Sequence, residues 1–228
     1  MSSPRYCLFL DTETSDKPER LGDDLSDMPF IVQASWVIYD RDANFIKEEN
    51  LLIRADDYHI SKESERVHGI SETEVNSRGV SRKDMLRRMA RDIRRYKPLV
   101  VGHYVDLDIQ MIKNSTRRAG MKNFLKGLPA FCTMKATADY IQIPHRNYPQ
   151  LQEIYRMLFG KKFVGAHNAL RDAYATAEVF FELQRRGEVN EDVIKSQQEK
   201  ESPAKQNSTG CGLVLVLFVF SLLVHLLL

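Results

Sequence analysis

The stretch that decides the predicted fold is Tyr6–Thr14, Tyr-Cys-Leu-Phe-Leu-Asp-Thr-Glu-Thr. The five residues before Asp11 are apolar or aromatic, which is typical of a buried strand. Because side chains alternate between the two faces of a strand, we expect Asp11 and Glu13 to point to one side and Thr12 to the other. Two neighbouring carboxylates at the end of a buried strand repel each other unless a proton or a cation joins them. A divalent metal is the simplest explanation of this acidic pair.

The segments after this strand predict an α/β sandwich with a mixed sheet. Residues 30–39 and 45–53 are rich in β-branched and aromatic side chains and predict an antiparallel hairpin beside the first strand. Residues 99–102 predict a further short, buried strand. Apolar residues at helical spacing and helix-ending signals predict helices over residues 81–96, 106–119, 133–140, 149–159 and 169–186. Strands that come first, followed by helices alternating with short strands, indicate this layered fold.

Composition and charge indicate the general class of protein but do not identify a binding partner. The chain has 228 residues, of which 43% are hydrophobic and 28% charged, so it can bury the core of one catalytic domain. A net charge of +2 neither indicates nor excludes a polyanionic partner. The three cysteines are far apart and lack a Cys-x-x-Cys pair, which predicts reduced thiols in a cytosolic compartment.

We predict three regions along the chain: a catalytic domain over residues 1–186, a polar linker over 187–210 and a hydrophobic tail over 211–228. The tail consists almost entirely of Leu, Val and Phe, which favours a C-terminal helix that anchors the protein in a membrane. A helix buried in a partner, an amphipathic surface segment and a spurious extension of the reading frame are the alternatives. The N-terminus shows no secretory signal, so we expect the domain to face the cytoplasm.

Two further acids lie where later elements begin. Asp108 falls in the first turn of the predicted helix after residues 99–102, and Asp172 falls near the start of the last predicted helix. An acid in a first helical turn is also favoured by the helix dipole, and Asp106 is an equally plausible N-cap, so Asp108 alone is not specific. Four converging carboxylates match a centre of two Mg²⁺ or Mn²⁺ ions that stabilises displacement at phosphorus. His167, five residues before Asp172, is a candidate general base.

Three motifs resemble those of the DEDD-type exonucleases of the ribonuclease-H-like fold, in the subgroup with a histidine in the third motif. They are Asp-Thr-Glu-Thr at 11–14, Val-Gly-His-Tyr-Val-Asp-Leu-Asp at 101–108 and His-Asn-Ala-Leu-Arg-Asp-Ala at 167–173. Within that family the chain is most similar to bacterial relatives of the proofreading (epsilon) subunit of DNA polymerase III. The resemblance implies a three-layer sandwich in which helices flank a mixed β-sheet.

The resemblance also implies a role for each matching acid. Asp11 would bridge two metal ions, Glu13 and Asp172 would complete the first metal site, and Asp108 would hold the second. His167 would be the general base.

Substrate contacts are implied for Thr12, Thr14 and His103, with the backbone around the two threonines facing the terminal nucleotide. The family usually has His-Asn where this chain has His103-Tyr104, and Phe where it has Leu107. Since neither departure falls on a metal ligand of the family, both concern how the substrate fits.

The function implied is a 3′–5′ exonuclease that releases nucleoside 5′-monophosphates from single-stranded 3′ ends, with DNA as the first choice of substrate and RNA as the second. One alternative is a catalytically silent nucleic-acid-binding domain that the tail recruits to a membrane. Another is a proofreading partner that works mainly within a DNA polymerase complex.

Overall fold

The computed structural model describes residues 4–18, 21–22, 24–140 and 147–201. At its centre lies a five-stranded sheet in the order β3-β2-β1-β4-β5. The strands are β1 (Tyr6–Thr14), β2 (Ile31–Asp40), β3 (Phe45–Leu52), β4 (Leu99–Gly102) and β5 (Ala130–Cys132). β2 runs antiparallel to β1 and β3, whereas β1, β4 and β5 are parallel. The predicted mixed sheet is therefore confirmed, with the acidic strand at its centre.

Helices cover both faces of this sheet. They are α1 (Lys62–His68), α2 (Glu72–Arg78), α3 (Arg82–Tyr96), α4 (Val105–Arg118), α5 (Thr133–Ala136), α6 (Leu151–Phe159), α7 (Ala169–Arg185) and α8 (Glu191–Glu201). Serine side chains cap α1, α2 and α3, each accepting a backbone N–H from the first turn, which satisfies a donor that the helix itself leaves unpaired.

The alternation of side chains along β1 divides the core into two parts. Leu8 and Leu10 pack with residues of α3 and α4 on one face of the sheet. Cys7 and Phe9 pack on the other face with α6 and α7, where Phe9 makes an edge-to-face contact with Phe180 at 5.6 Å between ring centroids. Since the same alternation continues through the polar end of β1, it decides which helix each polar side chain meets.

The helix predicted over residues 133–140 is wrong beyond residue 136. α5 ends at Ala136, and turns follow as far as Tyr140. The hydroxyl and the backbone N–H of Thr137 both donate to the carbonyl of Thr133, at 2.9 and 3.1 Å. A threonine side chain that competes for the backbone carbonyl in this way disfavours further helix.

Packing continues past residue 186, where the predicted catalytic domain ends. Val189 is buried, and Ile194 of α8 packs against the same core as α7. The side-chain amide of Gln197 accepts the N–H of Cys132 and donates to its carbonyl at 3.1 Å, so α8 is joined to the edge strand β5. Part of the predicted linker is thus a helix docked on the sheet.

Two of the three cysteines, Cys7 and Cys132, are buried free thiols. Burial raises the pKa of Cys7 to about 12, which keeps its thiol protonated. Cys211 and the predicted hydrophobic helix over 211–228 lie outside the described residues. Among the residues that are described, no helix is long and apolar enough to cross a membrane.

Candidate metal centre

The acidic end of β1 meets the start of α7 on one face of the sheet. Carboxylate oxygens of Asp11, Glu13 and Asp172 all lie within 4.8 Å of one another. Asp11 and Glu13 continue the face of β1 that carries Cys7 and Phe9, which is the face covered by α7. The strand thereby brings two acids to the helix that supplies the third.

Local hydrogen bonds hold the start of α7 in place. Asn168 is the N-cap residue, and its side chain accepts the backbone N–H of Arg171. The backbone N–H of His167 donates to Asp172 Oδ2 at 2.9 Å. The helix start therefore orients Asp172 through the same residue that the sequence predicts to be the general base. The imidazole of His167 itself is exposed, on a backbone with φ 63°.

Gln33 contributes to this arrangement, and sequence reasoning missed it. It is buried on β2 directly opposite Glu13. Its Oε1 accepts the backbone N–H of Ala169 at 3.1 Å, and its Nε2 donates to Asn50 Oδ1 at 2.8 Å. Gln33 thus ties the first residue of α7 to the strand next to the acidic pair. A polar residue within the apolar sequence of β2 was the available signal.

Asp108 reaches the centre from the opposite face of β1. Thr12, whose side chain points away from Asp11 and Glu13, donates from Oγ1 to Asp108 Oδ1 at 2.8 Å. Asp108 lies in the first turn of α4 and is buried. The cluster of mutually close carboxylates contains the other three acids, while Asp108 lies near enough for its charge to affect Asp11.

All four carboxyl groups have a raised pKa. Burial raises the pKa of Asp11 well above its ordinary value, and the charges of Asp108, Asp172 and Glu13 raise it further. Burial and the charge of Asp172 raise the pKa of Glu13 to about 7. Burial raises the pKa of Asp108 to about 8 against the hydrogen bond from Thr12, and that of Asp172 to about 6 against the N–H of His167.

This electrostatic state fits a divalent metal. Buried carboxylates that raise one another's pKa values need either protons or cations, and a cation restores the charged form of each. Oxygen donors of this kind suit Mg²⁺ and Mn²⁺, which prefer carboxylate ligands. The donor set of Asp11, Glu13 and Asp172 is therefore suited to hold a metal, and the charge of Asp108 acts on Asp11.

His103 is enclosed by other residues of the protein, although the resemblance implies that it contacts substrate. Its Nε2 donates to the carbonyl of Pro149 and its Nδ1 lies 3.0 Å from Thr133 Oγ1. Burial lowers the pKa of His103 to about 4, so the ring is neutral at physiological pH. Both ring nitrogens are engaged within the protein, and this joins the end of β4 to the starts of α5 and α6. A contact between His103 and substrate stays a prediction.

The chain is similar to known nucleases over most of its length. The exonuclease family model (RNase_T) matches residues 9–180. DNA polymerase III subunit epsilon of Aquifex aeolicus (strain VF5) is 36% identical over 85 residues, which are 37% of this chain and 40% of that protein.

Solved structures share the fold at lower identity. The zinc-bound form of Escherichia coli exonuclease I in complex with single-stranded DNA superposes with a TM-score of 0.68 and 18% identity, covering 87% of this chain and 43% of that one. A full-length 3′-exonuclease superposes with a TM-score of 0.63 and 14% identity, covering 82% of this chain and 62% of that one. The match thus spans less than half of E. coli exonuclease I.

Proposed function

The chain belongs to the exonuclease family, of the DEDD type with a ribonuclease-H-like fold, and we propose that it is a metal-dependent 3′–5′ exonuclease acting on single-stranded ends. The observation that carries the proposal is the cluster of Asp11, Glu13 and Asp172, whose oxygens lie within 4.8 Å of one another. An acidic cluster at this spacing serves a reaction in which negative charge develops and must be neutralised by metal.

Each side chain has a distinct task in the proposed reaction. Asp11, Glu13 and Asp172 would hold one divalent ion, and Asp108 with Asp11 would hold a second. When bound, the two ions supply positive charge at the attacking and leaving oxygens of the phosphodiester. His167 would accept the proton of the attacking water, a role that its exposed imidazole can fill. Water adds to phosphorus, the bond to the 3′ oxygen of the preceding nucleotide breaks, and that oxygen takes up a proton.

The second ion and its ligand Asp108 depend on Thr12. Because Thr12 Oγ1 donates to Asp108 Oδ1, it holds one carboxylate oxygen of Asp108 in place. A hydrogen bond to the charged form also counteracts the burial that favours protonation. Thr12 is proposed to orient Asp108 in addition to presenting its backbone to the terminal nucleotide.

Single-stranded DNA is the substrate that we propose first, and RNA second. The support is the similarity to a DNA polymerase subunit and to an exonuclease whose structure contains single-stranded DNA. The same relative supports association with a DNA polymerase as a further proposal. Attachment to a membrane through residues 211–228 stays a prediction from the sequence alone.

Digestion of end-labelled oligonucleotides tests the proposed function. With Mg²⁺ or Mn²⁺ we expect the full chain to shorten single-stranded DNA from the 3′ end, releasing 5′-mononucleotides, and EDTA should stop the reaction. Parallel digestion of matched duplex DNA and RNA determines the substrate class.

Replacement of His167 by Ala should lower kcat by about 100-fold or more, the usual contribution of a general base. His59→Ala is the matched control, because His59 is exposed and pairs with Glu72 on α2. If the wild-type chain degrades no oligonucleotide, or if His167→Ala is as active as His59→Ala, the proposed chemistry is wrong.

A further inference from the structure

Strained backbone occurs at both helices that carry acids of the candidate centre. Among the described residues, four other than glycine have positive φ: Ala43, Lys97, Tyr104 and His167. Ala43 lies in the turn between β2 and β3, and Lys97 caps the C-terminus of α3, where such angles are common. Tyr104 and His167 lie instead just before α4 and α7.

Tyr104 has an unusual backbone conformation for an aromatic residue. It is the N-cap residue of α4 with φ 85° and ψ 44°, and its side chain makes no capping hydrogen bond. A bulky aromatic residue is disfavoured in the left-handed region, and strain of this kind is retained mainly at functional sites. His167 has the same kind of backbone, and there the functional reason is the proposed general base.

The ring of Tyr104 is accessible. Its residue is 39% exposed. The described part of the chain provides the ring with neither an aromatic contact nor a hydrogen-bond partner for its hydroxyl. Burial in the core therefore does not account for an aromatic residue at this position.

Tyr104 lies at the same end of the sheet as the acids. β1 and β4 are parallel, and Phe9 pairs with Val101. β4 ends at Gly102, one residue beyond that pair, and Tyr104 is the second residue after the end of the strand. Asp108 follows one turn later on α4. The exposed Tyr104 thus lies at the end of the sheet that carries the candidate centre.

We propose that Tyr104 is a substrate-binding residue whose ring stacks on a nucleobase close to the 3′ end of a single strand. The inference rests on the proposed exonuclease function and adds a specific contact to it. Every nucleobase has a flat π face, so an aromatic side chain gives affinity without sequence preference.

Three variants of the full chain separate stacking from other roles. Tyr104→Ala should weaken binding of a single-stranded oligonucleotide about tenfold, measured by fluorescence anisotropy with Ca²⁺. Tyr104→Phe keeps the ring and should bind like wild type. Phe45→Ala is the control, because Phe45 is 52% exposed at the opposite end of the sheet.

Oligonucleotides that lack one base identify the contact directly. Abasic sites are placed at the first, second or third position from the 3′ end, and the ratio of the Tyr104→Ala and wild-type dissociation constants is measured for each. We expect the ratio to fall to about one for the oligonucleotide that lacks the stacked base. A ratio that stays near ten for all three oligonucleotides overturns the proposal, as does a normal affinity of Tyr104→Ala for the intact strand.

Tyr104→Asn adds a measurement that a purely structural role would not reproduce. Asparagine tolerates left-handed φ better than tyrosine, so this variant should have an equal or higher Tm while binding as weakly as Tyr104→Ala. A lower Tm with unchanged affinity would assign Tyr104 to folding and contradict the inference. Digestion by the wild-type chain is scored separately, so failure of the exonuclease proposal is distinguishable from failure of this contact.

Discussion

Replacing Asp11 by Asn should stabilise the metal-free protein and abolish its activity. Asp11 has two carboxylate neighbours with oxygens within 4.8 Å. At an effective dielectric of about 20, two unit charges about 4.8 Å apart repel by about 3.5 kcal/mol. Partial protonation reduces this repulsion, because the pKa values in the cluster are raised. We therefore expect Asp11→Asn to raise the free energy of unfolding by about 2 kcal/mol, which is about 4–8 °C in Tm for a chain of this size.

Thermal unfolding in EDTA at pH 8 measures this gain, and the same scan with Mn²⁺ measures the loss of metal binding. Wild type should gain stability from Mn²⁺, whereas Asp11→Asn should gain little, since one ligand charge is missing. Asp42→Asn is the matched control, because Asp42 is exposed in the β2–β3 turn. Repeating the scan in EDTA at pH 5 should reduce the difference in Tm between Asp11→Asn and wild type, because protonation of the carboxylates then removes the same repulsion.

Two results would refute this reasoning. One is a Tm of Asp11→Asn in EDTA that is equal to or below the Tm of wild type, which would mean that the carboxylates do not repel strongly in the folded state. The other is an equal Mn²⁺ shift in wild type and Asp11→Asn, which would mean that the metal binds elsewhere. Nuclease activity of Asp11→Asn within tenfold of wild type would independently exclude Asp11 as a metal ligand.

Two further predictions concern pH and Thr12. The pKa values of Glu13 and Asp172 are raised from 4.5 and 3.8 to about 7 and about 6, so their contribution to stability is complete below pH 4 and is lost as pH rises through the folded values. Denaturant titrations should therefore show the metal-free chain losing stability between pH 5 and pH 8, and saturating Mn²⁺ should remove that loss; a rise in metal-free stability over this range would contradict the assignment. Thr12→Val removes the hydroxyl that donates to Asp108, so the metal concentration for half-maximal rate should rise about tenfold, as measured by Mg²⁺ titration of the initial rate, whereas Thr12→Ser should titrate like wild type.

The acids of the candidate centre could be predicted because their signals are local. An apolar run that ends in Asp11 and Glu13 indicates a strand with an acidic end, and the structure confirms the strand as β1. Asp172 depended on the motif around His167, and the structure places it beside the acidic pair. The opposite direction of Thr12 also followed from alternation, but its partner required knowledge of α4.

Contacts between distant segments were not predictable in the same way. Gln33 holds the start of α7 across 136 residues of sequence, and a glutamine within a strand has no local feature that identifies its partner. The enclosure of His103 depends on Thr133 and Pro149, which only the folded chain brings near. Strand β5 has three residues, too few for a periodic pattern to appear.

The side-chain amide of Gln197 protects the protein against self-association through an edge strand. An outermost strand exposes unpaired N–H and C=O groups, which can pair with the same strand of another molecule. The side chain of Gln197 forms hydrogen bonds with both the backbone N–H and the carbonyl of Cys132 on β5. It therefore takes the place of one residue of a neighbouring strand. The opposite edge strand, β3, carries Lys47, Glu48 and Glu49, charges that discourage such pairing. A chain shortened to residue 186, where the predicted catalytic domain ends, would lose Gln197 and leave β5 open to intermolecular β-sheet formation.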